Sequence, residues 1–355
     1  MTTNTTRERF LTTRREGKMH GLEIARAVGA TEVELIQAVV EPDADIAAVR
    51  LEGPPMEILG RLRELGTVKA ITRSPSAVIE CIGEYGAIEM FGTTGQSVAT
   101  IDLRIFSQRW HSAYAVREQT KRGESKCLQF FDAQGTAIHK TYLKPASNVE
   151  AYAAIVDTFR AKTQDVALEL AAPVAMTPPK PDDAIDVSGL RTAWTAMKDT
   201  HEFYGILRRF SVARTQALRL AGPELATPVP ASALRATLER SRDAKLPIMV
   251  FVGNSALVQI YSGPVDRITE MGTWVNVLDP AFDLHIDASA ITESWIVRKP
   301  TVDGVVTALE IYDARGEQLA LLCGKRKPGQ KEDPTWRDIV EAFAMGRADR
   351  QDVSI

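Results

Sequence analysis

The stretch "IDLRIFSQRWHSAYAVREQTKRGESKCLQFFDAQG" at residues 101–135 has a second copy in the chain, "FDLHIDASAITESWIVRKPTVDGVVTALEIYDARG" at residues 282–316. The two align without a gap, residue 102 on residue 283, and eleven positions are identical. Random matching at ordinary composition would give about two identities. We therefore infer an internal duplication and expect two homologous halves.

Both copies show the same order of predicted elements. A helical amino-terminal part precedes short alternating runs, such as residues 77–83 and 112–118, that are typical of antiparallel strands. Each copy then ends in an amphipathic stretch, at residues 148–162 and 333–347, that predicts a helix. This order indicates an α+β fold with an internal duplication, in which each half has a large antiparallel β-sheet flanked by helices. We expect the two halves to be related by a pseudo-two-fold axis.

The domain organisation follows from the duplication. We assign residues 1–172 to the first repeat (helices, antiparallel sheet, helix), residues 173–187 to a proline-rich linker of extended character, and residues 188–355 to the second repeat. The last residues, 349–355, are predicted to be a frayed tail. Ligands often bind where domains meet, so we expect a site between the halves.

Composition excludes several classes of function. The 355 residues include 43 basic and 46 acidic side chains, so no overall positive field favours nucleic acid or an anionic membrane. Three widely spaced cysteines form no CxxC pair, which argues against a structural zinc site. The arginine-rich start lacks the apolar core of a secretory signal, and no apolar run approaches the roughly 20 residues of a membrane span. We expect a soluble, cytoplasmic protein.

The stretch "AWTAMKDTHEFYGILRRF" at residues 193–210 predicts a single amphipathic helix. On such a helix Trp194, Met197, His201 and Arg208 would share one face. His201 would then be either a hydrogen-bonded histidine at a domain interface or an axial ligand to haem iron, for which one neutral imidazole suffices. Spacing alone leaves both interpretations open.

Six motifs in order carry a resemblance to a known family. They are "IDLRIFSQRW" (101–110), "TAWTAMKDTHEFYGILRRF" (192–210), "PIMVFVGNSALVQIYSGPV" (247–265), "MGTWVNVLDPAFDLHI" (271–286), "SWIVRKPTVDGVVTALEIYD" (294–313) and "GKRKPGQKE" (324–332). With them the chain resembles the cytoplasmic haemin-degrading or haem-trafficking proteins of bacterial haem uptake, the HemS/ChuS/PhuS/HmuS type. The resemblance covers nearly the whole chain, including the duplication.

The resemblance implies a haem site. His201 corresponds to the proximal ligand of the haem iron, and Arg104 to a catalytic distal-side residue that reaches toward the iron-bound water or oxygen. Phe106 would pack on the distal face. Three further cations match positions near the haem propionates or the distal edge: Arg214, Lys299 and Arg326. Haem b would be the bound ligand or substrate.

Each of these side chains also has a simpler interpretation from the residues alone. Arg104 could lie on a strand surface, and Lys299 and Arg326 could be solvated charges. Arg214 could support the carboxyl end of the His201 helix through the helix dipole. The family roles require an apolar pocket, an axial donor and cations for the carboxylates.

Three functional hypotheses follow. The first is oxidative haem degradation, with ring opening and iron release, for which electrons would come from a reductase or a small reductant because no dinucleotide fingerprint is present. The second is a non-enzymatic haem chaperone that delivers haem from an inner-membrane importer to a separate haem oxygenase. The third is an interaction protein without a cofactor. Whether the first repeat holds a second haem site around His20 stays open.

Overall fold

The computed structural model describes residues 3–17, 19, 21–40, 42–43, 45–173, 178–326 and 329–345. Within these limits the chain forms two compact units. The first unit comprises Met1–Pro75, Ile79–Val174 and Gly253–Gln259, and the second comprises Ser76–Val78, Ala175–Val252 and Ile260–Ile355. His20, residues 174–177 of the predicted linker and the predicted frayed tail lie outside the described residues.

The first half of the sequence begins with helices and continues into strands. In chain order its elements are α1 (Thr3–Arg15), α2 (Gly21–Val28), α3 (Glu32–Gln37), β1 (Ile46–Leu51), α4 (Pro55–Arg61), β2 (Val68–Arg73), β3 (Ala77–Gly83), β4 (Ile88–Phe91), β5 (Thr94–Ser97), β6 (Asp102–Phe106), β7 (Ser112–Thr120), β8 (Gly123–Phe131), β9 (Ala137–Leu143) and α5 (Val149–Phe159).

The second half repeats this order. Its elements are α6 (Val187–Thr195), α7 (Glu202–Phe210), α8 (Arg214–Ala221), β10 (Ala226–Val229), α9 (Ala233–Asp243), β11 (Ile248–Gly253), β12 (Leu257–Gly263), β13 (Ile268–Met271), β14 (Trp274–Asp279), β15 (Phe282–Asp287), β16 (Glu293–Thr301), β17 (Gly304–Tyr312), β18 (Gln318–Gly324) and α10 (Pro334–Ala344). The predicted duplication is thereby confirmed.

Two of the identities between the copies lie in a hairpin whose backbone requires them. β7 pairs with β8, and β16 with β17, in the same register at an offset of 181 residues. Each hairpin turn ends in a glycine with positive φ, Gly123 (106°) and Gly304 (115°), a conformation that other residues rarely adopt. Thr120 and Thr301 donate their hydroxyl protons to the carbonyls of these glycines, at 2.8 and 2.7 Å.

The strands of the described residues form two antiparallel sheets of nine strands each. Their orders are β1-β7-β8-β9-β2-β3-β15-β14-β13 and β10-β16-β17-β18-β11-β12-β6-β5-β4. The predicted α+β class, with large antiparallel sheets flanked by helices, is confirmed.

Each unit has a hydrophobic core between its amino-terminal helices and its sheet. In the first unit, side chains of α1 to α3 such as Phe10, Ile24 and Val33 pack with Tyr114 of β7 and Phe131 of β8. In the second unit, α6, α7 and α8 pack on β10, β16 and β17 in the same way. α7 therefore has a fixed position on its sheet, which matters for His201 at its start. No helix in the described part of the chain is long and apolar enough to cross a membrane.

Candidate functional site

The stretch that was predicted as one helix is broken. α6 ends at Thr195, α7 begins at Glu202, and the residues between them form a turn. The carboxylate of Asp199 accepts the backbone N–H of His201 at 2.8 Å, a local bond that competes with helical hydrogen bonding. The turn is also anchored to the β16–β17 hairpin, because Val302 N–H donates to the carbonyl of Lys198 at 3.0 Å.

The break separates residues that were predicted to share a face. Trp194 and Met197 are buried in the core of the second unit, and the indole of Trp194 packs edge-on against Phe203 with ring centroids 4.4 Å apart. The His201 side chain, by contrast, is 84% exposed. The prediction of one common face for Trp194, Met197 and His201 is therefore wrong, since it assumed an uninterrupted helix.

The imidazole of His201 is held by a carboxylate. Its Nδ1 lies 2.6 Å from Oδ1 of Asp199. An ionised carboxylate only accepts hydrogen bonds, so Nδ1 carries a proton, and in the neutral form of the ring Nε2 is then the nitrogen with the lone pair. No described residue forms a hydrogen bond with Nε2. The pKa of Asp199 is lowered, first by the backbone N–H of His201, against the opposing effect of burial, and further by the imidazole and by Arg326.

The exposed face of α7 offers space beside His201. Phe203, Ile206 and Leu207 are buried against the core, whereas Tyr204, Gly205 and Arg208 are exposed. A Cβ atom added to Gly205 would meet nothing within 4 Å. Because Gly205 and Arg208 follow His201 by four and seven residues, the three lie on one stripe about 10 Å long. An imidazole, a position without a side chain and a cation thus follow one another along this exposed face, and these are the kinds of group that a planar apolar ligand with carboxylates requires.

A cleft of about 580 Å³ lies at the carboxyl end of α7, within the second unit. Apolar walls and three cations line it: Pro178, Pro179, Lys180, Tyr204, Leu207, Arg208, Ser211, Val212, Ala213 and Arg214. Its volume is in the range of small-molecule sites. His201 does not line this cleft. It lies at the start of α7, however, three residues before Tyr204, which does line the cleft.

Arg214 and Lys299 meet at a buried carboxylate. Glu310 on β17 is fully buried and accepts two hydrogen bonds from Nη2 of Arg214 at 2.8 Å and one from Nζ of Lys299 at 2.6 Å. Nε of Arg214 donates to the hydroxyl of Tyr312 at 2.8 Å, and that hydroxyl donates in turn to Glu310. Both cations also lie over the ring of Phe203, at 5.2 and 4.7 Å from its centroid.

These contacts determine the charges of the cluster. Burial opposes ionisation of Glu310, but Arg214 and Lys299 outweigh burial and hold its pKa at about 2. Burial lowers the pKa of Lys299, and Glu310 opposes that effect. The interpretation of Lys299 as a solvated charge is wrong, since only 6% of the residue is exposed. Arg214 begins α8, and its guanidinium hydrogen-bonds to Glu310 and Tyr312, so its charge is directed chiefly at Glu310 and not at the end of α7.

Arg326 is the third predicted cation of the second unit. Its Nη1 lies 3.8 Å from Oδ2 of Asp303, which also accepts the backbone N–H of Gly329 at 3.0 Å. Arg326 contributes to the low pKa of Asp199, and its partner Asp303 follows Val302, whose backbone N–H donates to the carbonyl of Lys198 in the turn before His201. Unlike Lys299, it is partly exposed.

Arg104 and Phe106 belong to the first unit, on β6. Nη1 of Arg104 donates to the carboxylate of Asp102 and to the carbonyl of Leu103 at 3.1 Å, and about a third of the side chain is exposed. Phe106 ends the strand, partly exposed, opposite Thr94 of β5. Of the six predicted site residues, four therefore lie in the second unit and two in the first.

Comparison with known proteins agrees with this architecture. The domain described as "Haemin-degrading HemS.ChuX domain" matches residues 29–159 and 211–343, one match in each half of the chain. The hemin transport protein HemS of Yersinia enterocolitica is 38% identical over 322 residues, which cover 90% of this chain and 91% of that protein. The chain belongs to the HemS family.

Solved structures of HemS-family proteins have the same fold over nearly the whole chain. Holo-PhuS, a heme-binding protein from Pseudomonas aeruginosa, superposes with a TM-score of 0.92 at 39% identity, covering 97% of this chain and 99% of PhuS. ChuS, a heme degrading enzyme of Escherichia coli O157:H7, gives a TM-score of 0.89 at 34% identity, covering 96% of this chain and 99% of ChuS.

Sequence reasoning missed Asp199, Glu310 and Tyr312. A signal for the last two was present in the duplication. At the offset of 181 residues, Glu310 aligns with Gln129 of the first repeat, Tyr312 aligns with Phe131, and Lys299 aligns with Glu118. The charged cluster is thus specific to the second copy. Asp199 had a weaker signal, an aspartate two residues before the candidate ligand.

Proposed function

We propose that this HemS-family protein binds haem through Nε2 of His201 in the cytoplasm and degrades it oxidatively, with ring opening and iron release. The observation that carries the binding is the exposed imidazole, whose Nδ1 is held by Asp199 and whose Nε2 forms no hydrogen bond with a described residue. The relatives support it, since PhuS is described as heme-binding and ChuS as heme degrading. Haem would be both the bound group and the substrate.

The other predicted residues enter this proposal with different support. Arg208, exposed on α7 seven residues after His201, and Arg326, which contributes to the low pKa of Asp199, would be the cations for the haem carboxylates. Arg214 and Lys299 could serve a propionate only while sharing their charge with Glu310, whose single negative charge already offsets one of their two positive charges. The distal roles of Arg104 and Phe106 rest on the family resemblance alone. Electrons for ring opening would come from a separate reductase or a small reductant.

Replacement of His201 by alanine tests the ligand. We expect the absorption spectrum of the haem-loaded protein to lose the features of imidazole-ligated iron, and haem to bind at least tenfold more weakly. His111→Ala is the matched control, because His111 is an exposed histidine of the first unit and should leave the spectrum unchanged. An unaltered spectrum in His201→Ala would remove the basis of the proposal.

One observation favours a second candidate, non-enzymatic haem delivery. A ligand that is 84% exposed allows haem to be loaded from an importer and passed to a separate haem oxygenase. A turnover experiment with reductase, dioxygen and catalase distinguishes haem degradation from haem delivery. Degradation predicts a defined open tetrapyrrole and released iron in the presence of catalase, and delivery predicts intact haem that transfers to an acceptor protein. Bleaching that catalase abolishes would count against the enzyme.

A further inference from the structure

We propose that Asp199 is a positioning residue that selects Nε2 of His201 as the iron-binding nitrogen and strengthens the imidazole as an electron donor. This inference rests on the proposed ligation of haem by His201. It adds a residue that acts through the ligand and does not itself touch the haem.

Two hydrogen bonds tie His201 to Asp199, one from its backbone and one from its ring. Oδ1 of Asp199 accepts the backbone N–H of His201 at 2.8 Å and the ring Nδ1–H at 2.6 Å. The ring is therefore tied to the same oxygen as its own backbone, which fixes both its orientation and its tautomer. An unsupported neutral histidine would distribute the proton between its two ring nitrogens, and only the form with a bare Nε2 can bind iron from this face.

The turn that carries Asp199 is itself held in place. The carbonyl of Lys198 accepts the backbone N–H of Val302 at 3.0 Å, and the backbone N–H of Lys198 donates to Oε1 of Glu202 at 3.4 Å. α7 packs on the core through Phe203 and Leu207 immediately after His201. Because both sides of the turn are anchored, the carboxylate and the imidazole stay within hydrogen-bonding distance.

The charge of Asp199 has a consequence for iron. A ligating histidine whose second nitrogen donates to a carboxylate is more basic, and such partners commonly change metal affinity by about tenfold or more. A more basic axial ligand favours the ferric over the ferrous state, because it donates more electron density to the metal. The haem on His201 should therefore be harder to reduce than with the carboxylate neutralised.

The variant Asp199→Asn distinguishes this role from a purely structural role of Asp199 in the turn before α7. The asparagine Oδ1 can still accept the backbone N–H of His201, so the start of α7 is kept, while the negative charge beside Nδ1 is lost. Glu202→Gln is the matched control, since it removes one negative charge next to His201 without touching the imidazole. Circular dichroism of both variants checks that the fold is retained.

The first measurement uses the protein without haem. In ¹⁵N-histidine-labelled protein, with His201→Ala assigning the resonance, we expect the parent and Glu202→Gln to show mainly the Nδ1–H tautomer. Asp199→Asn should shift His201 toward the Nε2–H tautomer. The second measurement adds haem: Asp199→Asn should bind ferric haem about tenfold more weakly, shift the iron midpoint potential in the positive direction, and lower the iron–histidine stretching frequency.

The outcomes are distinguishable. An unchanged tautomer together with an unchanged midpoint potential in Asp199→Asn would overturn the role of Asp199, even if His201→Ala abolishes the haem spectrum. If the tautomer shifts in the haem-free protein and His201→Ala leaves the haem spectrum unaltered, the ligation of haem by His201 fails and this inference fails with it. A shift of the same size in Glu202→Gln would assign the effect to general charge and would also contradict the proposal.

Discussion

Glu310 of the second unit is a fully buried carboxylate. Such a charge is tolerated because Arg214, Lys299 and Tyr312 hydrogen-bond to it, and Gln318 adds a bond at 3.2 Å. The cluster joins the start of α8 to β16 and β17 beneath the ring of Phe203. Removing Glu310 leaves Arg214 and Lys299 without their shared counter-charge.

Replacement of Glu310 by glutamine should lower the free energy of unfolding by about 3 kcal/mol, and replacement by alanine by up to about 5 kcal/mol, because both leave two cations in a low-dielectric site. Urea denaturation at pH 7 measures the change. The control is Glu224→Gln, which removes the exposed partner of Arg191 and should cost less than about 1 kcal/mol. Equal losses in the two glutamine variants would show that the buried cluster is not what stabilises the unit.

His139 is a buried histidine of the first unit with both ring nitrogens hydrogen-bonded. Nδ1 lies 2.9 Å from the hydroxyl of Thr72, and Nε2 lies 2.6 Å from that of Tyr85. The rings of Trp110 and Phe130 lie beside it. Burial lowers the pKa of His139 to about 3, so it is neutral in the folded protein at every pH in the physiological range.

This depressed pKa predicts acid sensitivity. The folded value lies below the unfolded value of about 6.5, so the unfolded chain binds the proton first and stability is lost as the pH falls below 6.5. Between pH 7.5 and pH 5 the contribution of His139 should decrease by about 2 kcal/mol. Urea denaturation across this range measures it, with His139→Gln as the comparison. The parent and His139→Gln should differ in slope, and parallel pH profiles would contradict the assignment.

At the scale of elements, the packing of α10 on β18 depends on a glycine. A Cβ atom added to Gly324 would lie 2.8 Å from Cγ of Trp336, closer than real Cβ contacts allow. Trp336 is fully buried and its indole N–H donates to the carbonyl of Thr307 at 2.9 Å, so the ring cannot move aside freely. The absence of a side chain at residue 324 therefore lets the last helix approach the sheet.

Gly324→Ala should lower the free energy of unfolding by about 1–3 kcal/mol through overpacking against Trp336. Gly60→Ala in α4 is the matched control: its added Cβ meets nothing within 4 Å, and the change should stabilise the helix by up to about 1 kcal/mol. Thermal and urea denaturation of the two alanine variants should thus move in opposite directions. A neutral Gly324→Ala would mean that α10 shifts on the sheet without cost.

At the scale of the whole molecule, the two units do not divide the chain at a single point. Residues 253–259, from the last residue of β11 to the third residue of β12, lie in the second half of the sequence but belong to the first unit. Asn254 secures them there: Nδ2 donates to the carbonyls of Arg73 and Ile138 at 3.1 and 2.9 Å. Its Oδ1 accepts the backbone N–H groups of Ala256 and Leu257 at 2.9 and 3.2 Å.

Asn254→Ala should lower the free energy of unfolding by about 2–3 kcal/mol, since two partly buried carbonyls lose their donor. Hydrogen exchange should show faster exchange near Arg73 and Ile138, and no change around α7. Gln96→Ala, at an exposed side-chain bond to Glu89, is the control and should stay within about 0.5 kcal/mol of the parent. Faster exchange confined to the second unit would contradict the assignment of residues 253–259.

Prediction from sequence succeeded where the determinant is local. Asp132 and Asp313, identical in the two copies, each accept two backbone N–H groups of the turn that follows them. Such turns and the alternating strands beside them are specified by neighbouring residues, so the duplication predicted the paired hairpins. The prediction of one helix at residues 193–210 was wrong because the side chain of Asp199, in the turn, competes with helical hydrogen bonding for the backbone N–H of His201.

The sequence by itself therefore determined the α+β class, the two repeats, the hairpins with their glycine turns, and His201 as the histidine to test. Only the tertiary structure decided that Trp194 lies in the core while His201 is exposed. It also decided that Lys299 is buried and pairs with Glu310, and that residues 253–259 belong to the first unit. The reason is physical: strand alternation and turn geometry depend on residues close in sequence, whereas burial and ion pairing depend on which distant residues the fold brings within a few ångströms.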